Sequence, residues 1–270
     1  MKIACTTLAC PDWDLDTILK RFKEYGYDGV DFRGLGDEME VWRLEAFTTG
    51  ADETARKIAE SGLEVSAFSS GARMFNATEE DKQKSLEEVR QYARLCRRFG
   101  APMIRVFGGA LGQTPREQAI EAAVETLAEM ARAAGPEVKL AVETHDDWTC
   151  SEPLAQVLRQ VDAPNVGALW DLHHPFRMCG ESPRQTYENI GTFTIATHLK
   201  DSRPVGEGKY EYCLGGEGDV PLGEMVSLLA EGGYDGYLTL EWEKKWHPEL
   251  AGPEVALPAY ARYMKSLIGA

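Results

Sequence analysis

The sequence predicts a closed barrel of eight parallel β-strands with a helix after each strand, in one domain that spans residues 1–270. Short apolar segments alternate with segments of helical periodicity along the whole chain, which is typical of a parallel α/β fold. The length of 270 residues is close to the roughly 250 residues that a (β/α)8 TIM barrel needs. No run rich in proline, glycine or serine interrupts the alternation, so we expect no linker between domains.

The first half of the chain supplies four strand–helix units. In the first helix Ile18, Leu19, Phe22 and Tyr25 fall at helical spacing, and Gly26 follows as the C-cap. Glycines likewise close the next two helices, and Gly108 follows the fourth strand. The predicted strands are 2–8, 29–32, 63–68 and 103–107, and the predicted helices are 16–25, 52–61, 79–99 and 115–134.

The second half supplies four more units, with a long Gly-rich loop after the seventh strand. The predicted strands are 138–143, 166–171, 194–199 and 236–241, and the predicted helices are 153–161, 183–189, 222–231 and 253–267. An open doubly wound sheet is the alternative fold. Such a sheet usually has a Gly-rich nucleotide loop after its first strand, whereas this chain continues there as Thr6-Thr7-Leu8-Ala9-Cys10-Pro11.

Each of the last four strands ends on a residue that binds divalent cations: Glu143, Asp171, His198 and Glu241. A charged residue at the end of a buried strand is paired, solvated or functional, and for any one of them a surface salt bridge is the simpler interpretation. Catalytic groups of such barrels lie at the C-terminal ends of strands, and these four strands are consecutive. Three carboxylates and one imidazole suit Mn²⁺ or Mg²⁺, with Co²⁺ or Zn²⁺ as alternatives.

Further polar residues follow the same strand ends. His145, His174 and Lys200 lie two or three residues beyond Glu143, Asp171 and His198. Such groups can hold a substrate oxygen or move a proton, and the alternative is that they only orient the ligands. His173 and His247 are interpreted as solvated loop residues.

These motifs resemble those of the xylose-isomerase-like TIM barrels, the sugar phosphate isomerase/epimerase superfamily, over essentially the whole chain. That family ends its last four strands as Glu, Asp-x-x-His, His-x-Lys-Asp and Glu. This sequence has Glu143-Thr144-His145, Asp171-Leu172-His173-His174, His198-Leu199-Lys200-Asp201 and Leu240-Glu241-Trp242-Glu243. The segments Gly29-Val30-Asp31-Phe32-Arg33 and Leu214-Gly215-Gly216-Glu217-Gly218-Asp219-Val220 also resemble the family's second strand and its Gly-Glu-Gly-Asp segment.

The resemblance implies a metal-dependent sugar isomerase or epimerase that acts through an enediolate on a ketose or keto-sugar. Its ligands would be Glu143, Asp171, His198 and Glu241. The two glutamates would also exchange protons with the substrate, while His174 and Arg203 would hold substrate oxygens. With His145 as a further acid or base, the same enolate could expel a β-leaving group, so a lyase or dehydratase is the alternative; the superfamily includes inosose and dehydroshikimate dehydratases.

Charge and histidine placement argue against a nucleic-acid enzyme. The chain has 29 basic and 44 acidic residues and a formal charge of −15, which repels phosphate backbones. Endonuclease IV has a related barrel, but it places histidines on early strands, and no histidine precedes His145 here. A sugar-binding protein without activity is a third interpretation, which the intact ligand set disfavours.

The remaining features bound the partner and the compartment. Mixed charges in the loops after strands seven and eight favour a neutral sugar or polyol over a phosphorylated one, and Trp148, Trp170, Trp242 and Trp246 could form a stacking wall for it. The six cysteines lack a C-x-x-C motif, so we expect reduced thiols. We expect a cytoplasmic protein, since the chain shows neither a signal-peptide pattern nor a membrane span. A homo-oligomer is expected only by analogy.

Overall fold

The computed structural model describes residues 1–206 and 208–269, and eight of its parallel strands close into a barrel. This (β/α)8 fold confirms the predicted fold class. The strands are β1 (Lys2–Thr6), β2 (Gly29–Phe32), β3 (Glu64–Arg73), β4 (Met103–Phe107), β5 (Lys139–Glu143), β6 (Val166–Asp171), β7 (Thr194–Leu199), β8 (Asp201–Gly206), β9 (Lys209–Cys213) and β10 (Tyr237–Leu240). The barrel order is β1-β10-β7-β6-β5-β4-β3-β2, and β8 and β9 form a separate two-stranded sheet.

The helices alternate with the barrel strands. They are α1 (Leu15–Tyr25), α2 (Ala51–Ser61), α3 (Glu79–Phe99), α4 (Arg116–Ala134), α5 (Ser151–Gln160), α6 (His174–Cys179), α7 (Pro183–Ile190), α8 (Leu222–Glu231) and α9 (Pro253–Ile268). Their ends follow ordinary capping chemistry. The Asp14 side chain accepts a hydrogen bond from the Thr17 N–H at the start of α1, and Gly26 ends that helix at φ 85°. No helix in the described part of the chain combines the length and the apolar character that a membrane crossing needs.

The chain contains two compact units, one of residues 1–66 with the residues from 197 onward, and one of residues 67–196. In the second unit β5 pairs with β4 and β6, with Val142 opposite Val106 and Glu143 opposite Leu169. In the first unit β10 pairs with β1 and with β7, where Thr239 is opposite His198. The assignment of all 270 residues to one domain stays a prediction.

Small and apolar side chains fill the interior of the 67–196 unit below the strand ends. One buried cluster contains Ala67, Met103, Ala141, Leu169 and Ala196. Residues two apart on a strand share a face. The side chains two positions further along β5 and β6 therefore point to the same interior, and these are the predicted ligands at the ends of the two strands.

The predicted loops contain more structure than expected. The segment after β7 is the β8–β9 hairpin rather than a Gly-rich loop, with Arg203 opposite Glu211 and Gly208 at φ 65° near its turn; Glu207 lies outside the described residues. His174 begins the short helix α6, which is not among the predicted helices; Pro175 at the first turn has a φ suited to helix, and Gly180 at φ 68° ends it.

The prediction that all the cysteines are reduced is wrong for two of them. Cys150 and Cys179 form a disulfide, with Cα atoms 5.7 Å apart. The spacing of 29 residues gives no local signal, because the pair is brought together only when the chain returns through β6. Cys5, Cys10, Cys96 and Cys213 are free and buried, as expected.

Candidate active site

Glu143 ends β5 with its side chain excluded from solvent. Its Oε2 lies 3.5 Å from Nε of Arg105, which is also buried. Arg105 lies on β4, and its guanidinium carbon is 3.6 Å from the centroid of the Phe107 ring. A buried carboxylate is costly unless a charge compensates it, and Arg105 supplies that charge. Sequence reasoning missed Arg105, although a charged residue inside the apolar run 103–107 is its signal.

Asp171 ends β6 and organises the first turn of α6. Its Oδ1 accepts hydrogen bonds from the backbone N–H groups of His173 and His174, at 2.8 and 3.0 Å. The Asp-x-x-His spacing thus lets one carboxylate oxygen accept two backbone N–H groups at the start of the helix that carries the histidine. Oδ2 lies 3.5 Å from Nδ1 of His174. Asp171, His173 and His174 form one group whose possible ligand atoms lie within 4.8 Å of one another.

The tautomer of His174 follows from its contact with the backbone. Its Nδ1 is 3.0 Å from the carbonyl oxygen of Thr144, and a carbonyl can only accept a hydrogen bond. Nδ1 therefore carries the hydrogen, and the neutral ring has its lone pair on Nε2, where it can accept from a hydroxyl group. His173 is fully buried, so its interpretation as a solvated loop residue is wrong.

His198 lies between two carboxylates in the unit that contains β1, β7 and β10. Its Nε2 is 3.2 Å from Oδ2 of Asp31, and its Nδ1 is 3.2 Å from Oε1 of Glu241. Both acids are almost fully buried. A carboxylate on one ring nitrogen fixes the orientation of a histidine that binds a metal through the other nitrogen. Asp31 was not predicted as a site residue, although it is the charged member of the four-residue buried strand β2.

Lys200 is fully buried and bridges two glutamates. Its Nζ lies 2.5 Å from Oε2 of Glu241 and 3.1 Å from Oε1 of Glu243. Glu241 is the first residue after β10, because the observed strand ends at Leu240, one position before the predicted strand end. Glu243, a third residue that sequence reasoning missed, also accepts a hydrogen bond from the Tyr212 hydroxyl at 3.2 Å.

His145 follows β5 and is paired with its neighbour Asp146. The His145 Nδ1 is 2.8 Å from Oδ1 of Asp146, whose Oδ2 accepts a hydrogen bond from the Gly109 N–H at 3.2 Å. Asp146 has a φ of 52°, which is uncommon outside glycine and is tolerated best by Asn and Asp. Burial acts to raise the pKa of Asp146, but the contacts with His145 and Gly109 outweigh it, so that this pKa lies below its ordinary value.

Arg203 lies on β8 of the hairpin. It is exposed, and its guanidinium is 2.6 Å from Oε1 of Glu211 on the opposite strand. This hydrogen bond and the carboxylate charge raise the pKa of Arg203. The predicted role of Arg203 in holding a substrate oxygen stays a prediction.

The aspartate of the His-x-Lys-Asp motif has a structural role. The Asp201 carboxylate accepts backbone N–H hydrogen bonds from Ser202, Gly216, Gly218 and Val220, at 2.8, 2.9, 3.0 and 3.4 Å. A side chain at Gly218 would collide with this carboxylate and with the Ser202 carbonyl. Three backbone N–H groups of the Gly-rich segment 214–220 therefore point at the buried Asp201 carboxylate.

The four tryptophans of the predicted stacking wall differ in their exposure. Trp148, Trp170 and Trp242 are buried. The indole N–H groups of Trp148 and Trp242 donate to the carbonyls of Gly109 and Ala251, and Trp242 also lines a pocket beside the β8–β9 hairpin. Trp246 alone among the four is exposed.

The comparisons with known proteins agree with this architecture. A family model described as xylose isomerase-like TIM barrel matches residues 19–267. An uncharacterized protein of Methanocaldococcus jannaschii is 28% identical over 92 residues, which cover 33% of this chain and 30% of that protein. The match thus spans less than a third of the curated relative.

Solved structures resemble the chain over its whole length. The IolI protein, crystallised with a bound zinc atom, has a TM-score of 0.86 at 19% identity, covering 100% of this chain and 98% of that one. The probable 3-DHS dehydratase AsbF of Bacillus anthracis has a TM-score of 0.80 at 17% identity, with 98% and 99% coverage. A D-tagatose 3-epimerase-like protein has a TM-score of 0.78 at 16% identity, with 100% and 97% coverage. At these identities the likeness shows a shared fold.

Proposed function

Because the chain belongs to the xylose isomerase-like TIM barrel family, we propose that it is a divalent-metal-dependent enzyme that isomerises or epimerises a ketose or keto-sugar through an enediolate. The expected partner is a small sugar or polyol. A cytoplasmic location and a homo-oligomeric state stay predictions.

The observation that carries this proposal is the set of donor atoms. Glu143, Asp171, His198 and Glu241 end or directly follow β5, β6, β7 and β10, which are consecutive in the barrel order. Each carries a carboxylate or imidazole group that can offer one ligand atom: Glu143 and Asp171 in the 67–196 unit, and His198 and Glu241 in the other unit. Carboxylate oxygens and one imidazole suit Mn²⁺ or Mg²⁺ and also accept Co²⁺ or Zn²⁺. When bound, the cation would polarise a carbonyl group and stabilise negative charge on its oxygen.

The chain's own residues would position the substrate and move its proton. Glu143 or Glu241 would remove the proton next to the carbonyl, and the other would return one on the opposite face. Arg105 beside Glu143 and Lys200 beside Glu241 hold these two carboxylates in place at 3.5 and 2.5 Å. The Nε2 lone pair of His174 is suited to accept a hydrogen bond from a substrate hydroxyl.

The test is proton NMR in D₂O with the Mg²⁺-loaded protein, an EDTA-treated control and a panel of ketoses, inososes and keto-sugars. Metal-dependent deuterium uptake next to the carbonyl, with a new sugar as product, supports the proposal. Glu143→Gln and Glu241→Gln should each lower turnover by about 10²- to 10⁴-fold with the fold intact. Glu137→Gln, an exposed glutamate paired with Arg97, is the matched control. Full activity in either active-site variant would exclude the two-glutamate mechanism.

A second candidate is β-elimination from a keto-sugar or keto-polyol. The observation that favours it is the His145–Asp146 pair, in which Asp146 orients the imidazole at 2.8 Å. In the same NMR experiment an elimination would give an unsaturated product and a lost leaving group. His145→Ala should abolish that product, whereas an epimerase that uses the two glutamates should retain most of its turnover in this variant.

A further inference from the structure

The β8–β9 hairpin and the segment after β10 enclose a pocket that the proposed reaction does not use. Its volume is about 590 Å³, and Arg203, Tyr210, Glu211, Tyr212, Trp242 and His247 are among its lining residues. Pockets for small molecules typically measure about 300–1,000 Å³. We call this space the hairpin pocket. All of its lining residues lie within 203–251, in the unit that also carries Lys200 and Glu241.

The charges of the hairpin pocket disfavour an anion. Its lining includes the carboxylates of Glu211, Glu217 and Glu249 and one guanidinium, that of Arg203. That guanidinium is already paired with Glu211 at 2.6 Å. A phosphate or carboxylate group would therefore meet more negative than positive charge. A neutral ligand with hydroxyl groups can instead donate to the carboxylates.

Aromatic rings form a continuous row along the same pocket. The ring centroids of Tyr210 and Tyr212 are 5.6 Å apart, and those of Tyr212 and His247 are 5.4 Å apart, both in edge-to-face geometry. Tyr210 and Tyr212 are only partly buried. Partly exposed rings offer apolar faces with polar edges, which suits the C–H faces and the hydroxyl groups of a sugar ring. The row therefore complements a carbohydrate better than it does an aliphatic chain.

Glu243 connects the hairpin pocket to the strand ends. Its Oε1 lies 3.1 Å from Nζ of Lys200 and accepts a hydrogen bond from the Tyr212 hydroxyl at 3.2 Å. Its Oε2 lies 3.6 Å from Nε2 of His247. Lys200 in turn contacts Glu241 at 2.5 Å. Two pocket-lining side chains are thus joined through one carboxylate to the lysine that holds Glu241.

We propose that the hairpin pocket is a second carbohydrate subsite, which takes a neutral sugar ring attached to the ring that reacts at the strand ends. The substrate is accordingly a glycoside or disaccharide-sized sugar rather than a free monosaccharide. This inference rests on the proposed function, because it assumes that the reacting ring lies beside Glu241. The pocket contributes binding and orientation, and it takes no part in proton transfer.

The test measures dissociation constants by NMR titration for cellobiose, maltose and trehalose, with D-glucose and methyl β-D-glucopyranoside as single-ring references. At least one disaccharide should bind about tenfold more tightly than the single-ring sugars. Tyr210→Ala should weaken the binding of that disaccharide by about three- to tenfold and leave the dissociation constant of D-glucose unchanged. Tyr210→Leu keeps an apolar side chain in the hairpin and should show the same loss if the aromatic face is what binds. Tyr25→Ala, on α1, is the matched control and should change neither constant.

Three results would overturn the subsite. They are equal affinity for one-ring and two-ring sugars, an equal loss of affinity for both kinds of sugar in Tyr210→Ala, and displacement of the disaccharide by inorganic phosphate. Repeating the titration after EDTA treatment separates this inference from the proposed function. Disaccharide binding that needs Tyr210 but survives EDTA, in a protein without turnover on any sugar, would retain the subsite and reject the isomerase. Metal-dependent turnover of monosaccharides, with no effect of Tyr210→Ala on sugar binding, would retain the isomerase and reject the subsite.

Discussion

Arg105 and Glu143 form an ion pair inside the barrel, with 3.5 Å between Nε and Oε2 and only 1% of either side chain exposed. Arg105 Nη1 has no hydrogen-bond partner among the residues that the structure describes. The Phe107 ring, 3.6 Å from the guanidinium carbon, partly compensates the buried cation. The pair therefore sets a fixed positive charge beside a glutamate that is proposed both to bind metal and to move a proton.

Removing the positive charge of this pair should lower the stability of the folded protein. Arg105→Met keeps the apolar length of the side chain but removes the positive charge beside the buried Glu143 carboxylate, so the free energy of unfolding should fall by about 3–5 kcal/mol. Chemical denaturation measures it. Arg90→Met removes an exposed arginine paired with Glu87 and should cost about 0–1 kcal/mol. An equal loss of unfolding free energy in the two variants would mean that the buried Arg105–Glu143 pair stabilises the protein no more than an exposed pair does.

Asp31 should control metal affinity without touching the metal. If His198 binds through Nδ1, the Asp31 carboxylate at 3.2 Å from Nε2 orients the ring. Asp31→Asn should then weaken the binding of Mn²⁺ or Zn²⁺ by about 10- to 100-fold while the circular dichroism spectrum stays the same. Isothermal titration calorimetry gives the affinity. Asp37→Asn, at an exposed site, is the control, and an unchanged affinity in Asp31→Asn would remove the orienting role.

The pKa of Asp146 predicts a pH-dependent contribution to stability. A carboxyl group whose pKa is lowered by folding stabilises the protein above its unfolded pKa, about 3.9, and loses this contribution as the pH falls through the folded value. Asparagine tolerates the φ of 52° at this position. Asp146→Asn should therefore cost about 1 kcal/mol at neutral pH, and the difference from the wild type should shrink below about pH 4. Urea denaturation across this range measures it, and a difference that is constant with pH would refute the assignment.

Gly218 should not accept a side chain. The Cβ of alanine would meet the Asp201 carboxylate and the Ser202 carbonyl, so Gly218→Ala should lower the free energy of unfolding by about 1–3 kcal/mol. Gly223→Ala in α8 is the matched control, because the nearest atom to its Cβ would be 3.9 Å away. There the methyl group should stabilise the helix by about 0.5–1 kcal/mol. Thermal unfolding compares the stabilities of the two variants. An unchanged stability in Gly218→Ala would contradict the close approach of Gly218 to Asp201 and Ser202.

The predictable part of the molecule is the part encoded by local patterns. Leu140–Glu143 and Val166–Asp171 read directly as buried strands with acidic ends, so the fold class and its strand ends follow from the sequence. The β8–β9 hairpin was missed because β8 is mostly exposed and lacks an apolar alternation, and because the alternation of Tyr210 and Tyr212 in β9 covers only five residues. Asp31 and Arg105 were missed because their partners, His198 and Glu143, are 167 and 38 positions away. Only the pairing of distant strands brings such groups together.

The disulfide between Cys150 and Cys179 closes a covalent ring around α5, β6 and most of α6. Asp171, His173 and His174 all lie inside this ring. A protease that cuts once between residues 151 and 178 therefore yields two chains that remain joined. They would migrate as one intact species on a non-reducing gel and separate only after a reductant is added. After such a cut, the piece of chain that contains Asp171 and His174 would stay attached to the rest of the protein through the disulfide.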